Sequence, residues 1–271
     1  MRVVVVRLRF RSRPGSRTYW IGLAVLLLVG IVLGILLRMP DSSEKTAAYR
    51  YDKWNSSNGV VLHTVQTTPD RIELKAIDTN VTATPYVGVN GGFFWEGSLL
   101  SIAVVNDAPL KGSPGDYGSG WYNTGVDGHL RRGTLVWDEA AGRFSVQTVL
   151  EADELVVADR RRFWAQGGVS MNVTDEASFA ASMIAEQMPA YDENRMRTGI
   201  VYDRDNRLYL IVTPTPCTAG QFRSAIVEKF GAGRLVDGIF LDGDGSSQLQ
   251  TKRTKLAGDR RQVFQMVAIA G

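Results

Sequence analysis

One cysteine, Cys217, in 271 residues excludes an intramolecular disulfide, so the chain is not a disulfide-stapled secreted scaffold. Cys217 itself reads as a small, half-buried hydrophobe. Histidine is nearly as scarce: His63 and His129 are the only 2, and neither sits in an H-E-x-x-H or similar ligand array. Nucleophilic catalysis through histidine would rest on one of these lone side chains; a strand residue at 63 and a loop residue at 129 are the simpler readings. There is no G-x-x-x-x-G-K-S/T phosphate loop and no G-x-S-x-G nucleophile elbow. Beyond residue 60 no Pro/Ser-rich linker, low-complexity tract or internal repeat appears, which predicts a single domain there.

One long apolar run is present. Residues 20–37 carry no charge, and at about 1.5 Å per residue they span roughly 27 Å, close to the hydrocarbon thickness of a bilayer. Arg2, Arg7, Arg9, Arg11, Arg13 and Arg17 precede the run. Arg38 and Lys45 follow it, with Asp41 and Glu44 among them. The positive-inside bias therefore places the N-terminus in the cytoplasm and the rest of the chain outside, with Tyr19 and Trp20 at the interface. A cleaved signal peptide would have an apolar region of about 7–15 residues followed by small residues. Here the run is longer and ends in Arg38-Met39-Pro40, so an uncleaved signal-anchor is expected. The organisation that follows is a basic cytoplasmic tail at 1–19, a transmembrane signal-anchor at 20–37, a polar tether at 38–57 and an extracytoplasmic domain at 58–271. Membrane lipid is then a partner through the N-terminal helix.

The anchor accounts for the sign of the net charge. Of 31 basic and 28 acidic residues, 8 and 2 fall within residues 1–45, leaving 23 and 26 and a net charge of −3 for the remainder. Anionic headgroups attract the basic flank. The exported part has no electrostatic reason to bind nucleic acid.

Residues 60–65 are rich in β-formers, and 71–76 alternate with period two. Glycine is dense from Gly88 to Gly133, as expected for loops joining short strands, and 134–137 and 144–148 are further strand candidates. Thr174 or Asp175 can cap a helix running to about Met188, with Pro189 as a stop. Thr218 and Gln221 fit a capping box; Phe222, Ile226 and Phe230 then share a face, and Gly231 suits the end. Residues 198–202 and 207–213 predict a hairpin around Asp205-Asn206, and 235–241 an apolar strand. Together these predict an α+β fold: a mixed, mainly antiparallel β-sheet core with a few flanking helices, preceded by one transmembrane helix.

Two glycine-dense polar segments are candidates for chemistry. In Asn90-Gly91-Gly92-Phe93-Phe94, paired glycines allow close backbone approach, and tandem amides can form an anion nest. Phe93 and Phe94 would wall a pocket or stack on a sugar. The alternative is a tight turn entering a core strand. In Asp242-Gly243-Asp244-Gly245-Ser246-Ser247-Gln248, two carboxylates lie two residues apart, on one side of an extended segment. Held together they cannot both ionise easily, so one pKa should rise, which suits general acid/base work or a divalent cation. The alternative is a surface Asp-Gly turn. No cofactor is required by the sequence.

In order along the chain, Asn90-Gly91-Gly92-Phe93-Phe94, Gln166-Gly167-Gly168, Arg197-Thr198-Gly199-Ile200-Val201 and Leu241-Asp242-Gly243-Asp244-Gly245-Ser246-Ser247-Gln248 resemble the phosphodiester glycosidase family over roughly residues 58–270. The resemblance implies a hydrolase that cleaves a sugar from a phosphodiester at its anomeric carbon. It implies catalytic roles for Asp242 and Arg197, and the paired-carboxylate reading adds Asp244 to the catalytic candidates. It further implies substrate contacts from Asn90, Gly91, Gly92, Phe93, Phe94, Gly243, Ser246, Ser247 and Gln248. In that setting Arg197 offers a planar fork for phosphate oxygens. Asp244 stands where the family pattern has a glycine, and a carboxylate there repels phosphate unless it is neutralised. The expected partner is a glycan or sugar phosphate of the cell envelope. The alternative is a non-catalytic glycan-binding or polysaccharide-assembly protein with the same fold.

Overall fold

The computed structural model describes residues 44–271. The expected basic tail, the expected transmembrane helix at 20–37 and the first residues of the expected tether lie outside the described residues. Among the described residues no helix is long and apolar enough to cross a membrane.

Seven strands form the largest sheet, in the spatial order Glu44–Lys45, Arg50–Asn55, Val61–Thr67, Leu208–Cys217, Arg195–Asp203, Leu235–Phe240 and Val169–Ser170. A second sheet is ordered Lys255–Leu256, Leu249–Gln250, Val87–Asn90, Val263–Ile269 and Ile72–Thr79. A third is ordered Arg143–Val149, Arg132–Asp138, Phe163–Gly167, Ala103–Val105 and Ala108–Pro109. The expected mainly antiparallel core with flanking helices is present. The "mixed" part of that expectation is corrected, because every ladder in these three sheets is antiparallel. The reason is topological. Leu208–Cys217 and Leu235–Phe240, joined through a helix, run parallel to each other, but Arg195–Asp203 inserts between them in the opposite direction.

Among the described residues the two α-helices are α1 (Glu176–Ala185) and α2 (Ala219–Phe230). Asp175 caps α1, its side chain accepting from the Ser178 amide, and α1 ends before Met188. In α2 the capping box is complete: Thr218 accepts from the Gln221 amide, and Gln221 accepts from the Thr218 amide. Gly231 ends α2 at φ +83°, a conformation that glycine adopts without a Cβ clash.

The central strands of the largest sheet are covered on both faces. Val201, Tyr209, Ile211 and Phe240 pack against Phe179, Met183, Phe222 and Ile226 of the helices. Ile200, Leu210, Val212 and Ile239 face Leu74, Val89 and Val267 of the second sheet and Leu135 and Trp164 of the third. Burial on both sides explains why 208–212 and 239–241 read as continuous apolar runs rather than alternating ones.

The tether expected at 38–57 is corrected from residue 44 onward. Glu44–Lys45 and Arg50–Asn55 are sheet strands, and Tyr49 and Tyr51 are buried. The buried Glu44 carboxylate accepts from Thr251 Oγ1 at 2.9 Å and from the Tyr49 hydroxyl. The segment looks like a tether because edge strands carry charged residues on their solvent face.

Candidate functional site

The site forms where the largest and second sheets meet. Beyond Phe240 the chain leaves the largest sheet, with the Leu241 amide donating to Thr198 O at 2.9 Å. The Asp242 amide then donates to Gly91 O at 3.2 Å, and the chain joins the second sheet where Leu249 pairs Val89. This crossing brings the two glycine-rich motifs together. Between them lies a cavity of about 230 Å³ lined by Phe93, Arg195, Arg197, Asp242, Asp244 and Arg261, with Met188, Pro189 and Ala190 on the side of the segment that follows α1.

Asp242 is the distinctive group. Its side chain is reached through the cavity and is otherwise enclosed by protein, and burial pushes its carboxyl up to about 6. The Gly243 amide, donating to Oδ1 at 3.0 Å, opposes that shift. The other carboxylates around it have guanidinium partners. Asp244 lies 3.3 Å from Arg195, and Asp259 lies 2.5 Å from Arg261. Asp244 adopts φ +52°, a left-handed conformation that glycine takes freely and that a carboxylate residue tolerates. Asp242 and Asp244 do share the cavity, but a 3₁₀ turn at Asp244–Ser246, not an extended segment, places them there. Among the described residues no group of three or more His, Cys, Asp and Glu side chains is arranged to hold a metal ion.

Several expected substrate contacts are corrected to structural roles. Asn90 is 1% exposed and fully bonded inside the protein. Its Nδ2 donates to Asp242 O at 2.8 Å and to Gly91 O at 3.2 Å. Its Oδ1 accepts from Thr198 Oγ1 at 2.9 Å and from the Gln248 amide at 3.0 Å. The amides of Gly91 and Gly92 do not form an anion nest, because they donate to Gln265 O and Gln265 Oε1 at 2.9 and 3.0 Å. A Cβ at Gly91 would meet the Gln265 side chain at 2.4 Å, and one at Gly92 would meet Ser101 at 2.5 Å, so close packing explains both glycines. Gln248 is likewise engaged: Oε1 accepts from the Val81 amide and Nε2 donates to Arg261 O. Phe94 packs edge-on against Phe264, 5.1 Å between centroids, and does not line the cavity.

Arg197 lines the cavity but is mostly engaged with backbone. Nε donates to Cys217 O at 3.1 Å, and Nη2 to Ala190 O and Glu193 O at 2.5 and 2.8 Å. Nη1 makes one long bond, 3.5 Å to Pro189 O, and keeps one hydrogen without a partner among the described residues. Arg197 therefore holds the segment after α1 in place more than it presents a free fork. Burial lowers its pKa.

Phe93 walls the cavity, with the Arg132 guanidinium 4.8 Å from its ring centroid. Ser246 and Ser247 are buried; the Ser246 hydroxyl is directed at Asp242 and helps hold its carboxyl down, while the Ser247 hydroxyl has no hydrogen-bond partner among the described residues. In Gln166-Gly167-Gly168, a Cβ at Gly168 would lie 2.0 Å from Phe240 O, so this motif marks where the chain closes against the backbone of an adjoining strand. The sequence reading missed Arg195 and Arg261. Arg195 sits two residues before Arg197 on the same strand, beside a register shift in the pairing with Leu208–Cys217. The only local signal for Arg261 is its Asp259 partner. The histidines stay outside the cavity. His63 bonds the Tyr51 hydroxyl through Nδ1 at 2.8 Å and is pushed down to about 4 by burial; His129 stacks on Tyr122. Burial pushes the Cys217 thiol up to about 11, as suits a packed hydrophobe.

No family model and no curated protein sequence matches the chain. Among solved structures, the chain is similar to the catalytic domain of zebrafish N-acetylglucosamine-1-phosphodiester α-N-acetylglucosaminidase, auto-inhibited by its pro-peptide. The identity is 14% and the TM-score 0.57, over 86% of this chain and 85% of that one. A hypothetical protein from Synechocystis is more distant, at 12% identity and a TM-score of 0.47 over 82% of this chain and 61% of that one. At these identities the likeness concerns the fold alone: the chain has a fold similar to that of a phosphodiester glycosidase catalytic domain.

Proposed function

We propose that the chain is a membrane-anchored extracytoplasmic hydrolase that cleaves a sugar-1-phosphodiester linkage in an envelope polymer or exopolysaccharide. The observation that carries this reading is Asp242: a carboxyl raised to about 6, set in a cavity rimmed by Arg195, Arg197 and Arg261. A pKa near neutrality suits proton transfer, and guanidinium groups suit a phosphodiester anion. In hydrolysis the C1–O bond breaks with both electrons leaving on the phosphate. That group departs as a stable anion and needs charge neutralisation more than a proton. The remaining demand is a base for the attacking water, and the Asp242 carboxylate meets it by taking the proton as the water oxygen bonds C1. Asp244, paired with Arg195, holds that guanidinium at the cavity.

The test is the full chain in detergent, incubated with a panel of sugar-1-phosphodiesters, with released sugar measured. Asp242→Asn should lose at least about 100-fold in rate; a variant with the parental rate removes the catalytic assignment. No cofactor is needed in this reading, so a chelator leaves the rate unchanged. A rate lost to chelator assigns a divalent cation to Asp242 and Asp244. The engagement of Arg197 with backbone carbonyls favours a second reading, a glycan-binding protein without turnover. Retained glycan binding with no released sugar from any donor selects it.

A further inference from the structure

A second cavity, of about 320 Å³, shares no lining residue with the first. Its floor is a patch of the largest sheet, and the register shows how it is assembled. Arg50 pairs Gln66, and Gln66 pairs Tyr209, which makes one row across three strands. Asp52 pairs Thr64 in the next row, and Trp54 follows on the same strand face. Its wall is the C-terminal end of α2, from Lys229 and Phe230, with Arg234 beyond. Because α2 stops at Phe230, this part of the sheet's helix-side face is left uncovered.

The polar groups here are arranged for a ligand. Lys229 is neutralised by Asp52 at 2.5 Å, and Arg234 by Asp203 at 3.0 Å. Arg50 has no ion pair among the described residues, and it lines the cavity as an exposed side chain. Thr64 is 3% exposed, and its hydroxyl has no hydrogen-bond partner among the described residues. A buried hydroxyl in that condition is a cost unless something bonds it. Aromatic surface is supplied by Trp54, half-buried under the Lys229 ammonium, and by Phe230, whose ring lies 4.4 Å from that of Tyr209. The unpaired Arg50 guanidinium, the unsatisfied Thr64 hydroxyl and ring faces in one concave site of this size suit a hydroxyl-rich ring bearing an anion.

We propose that this cavity binds a hexose unit carrying one anionic group, a carboxylate or a phosphate, at a site separate from Asp242. Arg50 takes the anion, Thr64 and Gln66 bond hydroxyls, and the aromatic wall covers a sugar face. Titration calorimetry on the full chain in detergent, with D-glucuronate, glucose 1-phosphate and glucose as probes, tests it. At least one anionic probe should bind and glucose should not. Arg50→Glu should weaken that binding at least tenfold at an unchanged melting temperature, which the exposure of Arg50 allows. Glucose binding as tightly as both anionic probes, or an Arg50→Glu chain that binds them as tightly as the parent, overturns the proposal. The assay reads binding alone, so its failure leaves the hydrolase reading intact.

Discussion

The Asn90 side chain donates to the backbone carbonyl of Asp242 at 2.8 Å, joining two motifs 152 residues apart. The bond is one of four from that side chain, all to protein groups. Asn90→Ala therefore leaves buried donors and acceptors unpaired on both motifs at once. At about 1–3 kcal/mol for each buried group left unsatisfied, partly relaxed, the expected loss of stability is about 3 kcal/mol. Denaturant unfolding measures it. A loss below about 0.5 kcal/mol would show that Asn90 is a ligand contact rather than the tie between the motifs.

Two glycines near the site separate a packing requirement from a functional one. At Gly168 an added Cβ would lie 2.0 Å from Phe240 O, which is backbone of the adjoining strand and cannot yield locally. Gly168→Ala is expected to cost more than about 2 kcal/mol or to prevent folding. At Gly245 the Cβ would meet Asp259 Oδ2 at 2.1 Å and Arg261 Nε at 2.6 Å, the ends of two exposed side chains. Gly245→Ala should therefore cost under about 1 kcal/mol while moving Arg261 off the cavity. Its expected signature is a raised KM with a nearly unchanged melting temperature. A large drop in melting temperature would show that the Asp259–Arg261 pair is fixed in place.

Much of the fold was legible because its signals are local. Period-two alternation marks Ile72–Thr79, and the Thr218–Gln221 capping box marks the start of α2. The motifs correctly indicate which segments meet, since glycine is needed where Gly91 packs on Gln265 and Gly168 on Phe240. They do not indicate which side chains face the cavity. Asn90 and Gln248 are as polar as any ligand contact, but their partners lie up to 167 residues away and engage both ends of each side-chain amide. Arg195 and Arg261 were hidden for the complementary reason: apart from Asp259 beside Arg261, nothing in their neighbours' identities marks them, and only the crossing of the chain at Leu241 brings them to Asp242.

The strands at Glu44–Lys45 and Arg50–Asn55 set a sharp expectation for truncation. A chain beginning at residue 44 keeps the edge of the largest sheet, with Tyr49 and Tyr51 buried and Glu44 bonded to Thr251. A chain beginning at residue 58 removes them and bares the strand Val61–Thr67, whose interior is buried. Burying a large side chain contributes about 1.5–3 kcal/mol, so losing two tyrosines and an edge strand exceeds the stability margin of many domains. The longer chain should be monomeric and unfold cooperatively; the shorter should be insoluble or aggregate through its exposed strand. Equal melting temperatures for the two would restore the reading of 44–57 as a tether.

The raised carboxyl of Asp242 predicts two pH dependences of opposite sign. The folded protein binds the Asp242 proton more tightly than the unfolded chain does, with a pKa of about 6 against an ordinary 3.8. Stability from this group is therefore fully present below about pH 4 and is lost as pH rises toward 6. By linkage the loss amounts to about 3 kcal/mol, an upper figure given the opening into the cavity. Asp242→Asn should flatten the stability curve between about pH 4 and 6 and leave the chain more stable than its parent at pH 7. Activity runs the other way. A carboxylate acting as base requires the ionised form, so the rate should fall as pH drops through about 6. A rate that rises on acidification through 6 would instead make Asp242 the acid, protonating the departing oxygen. A stability curve identical in parent and Asp242→Asn would mean that the carboxyl is not raised at all.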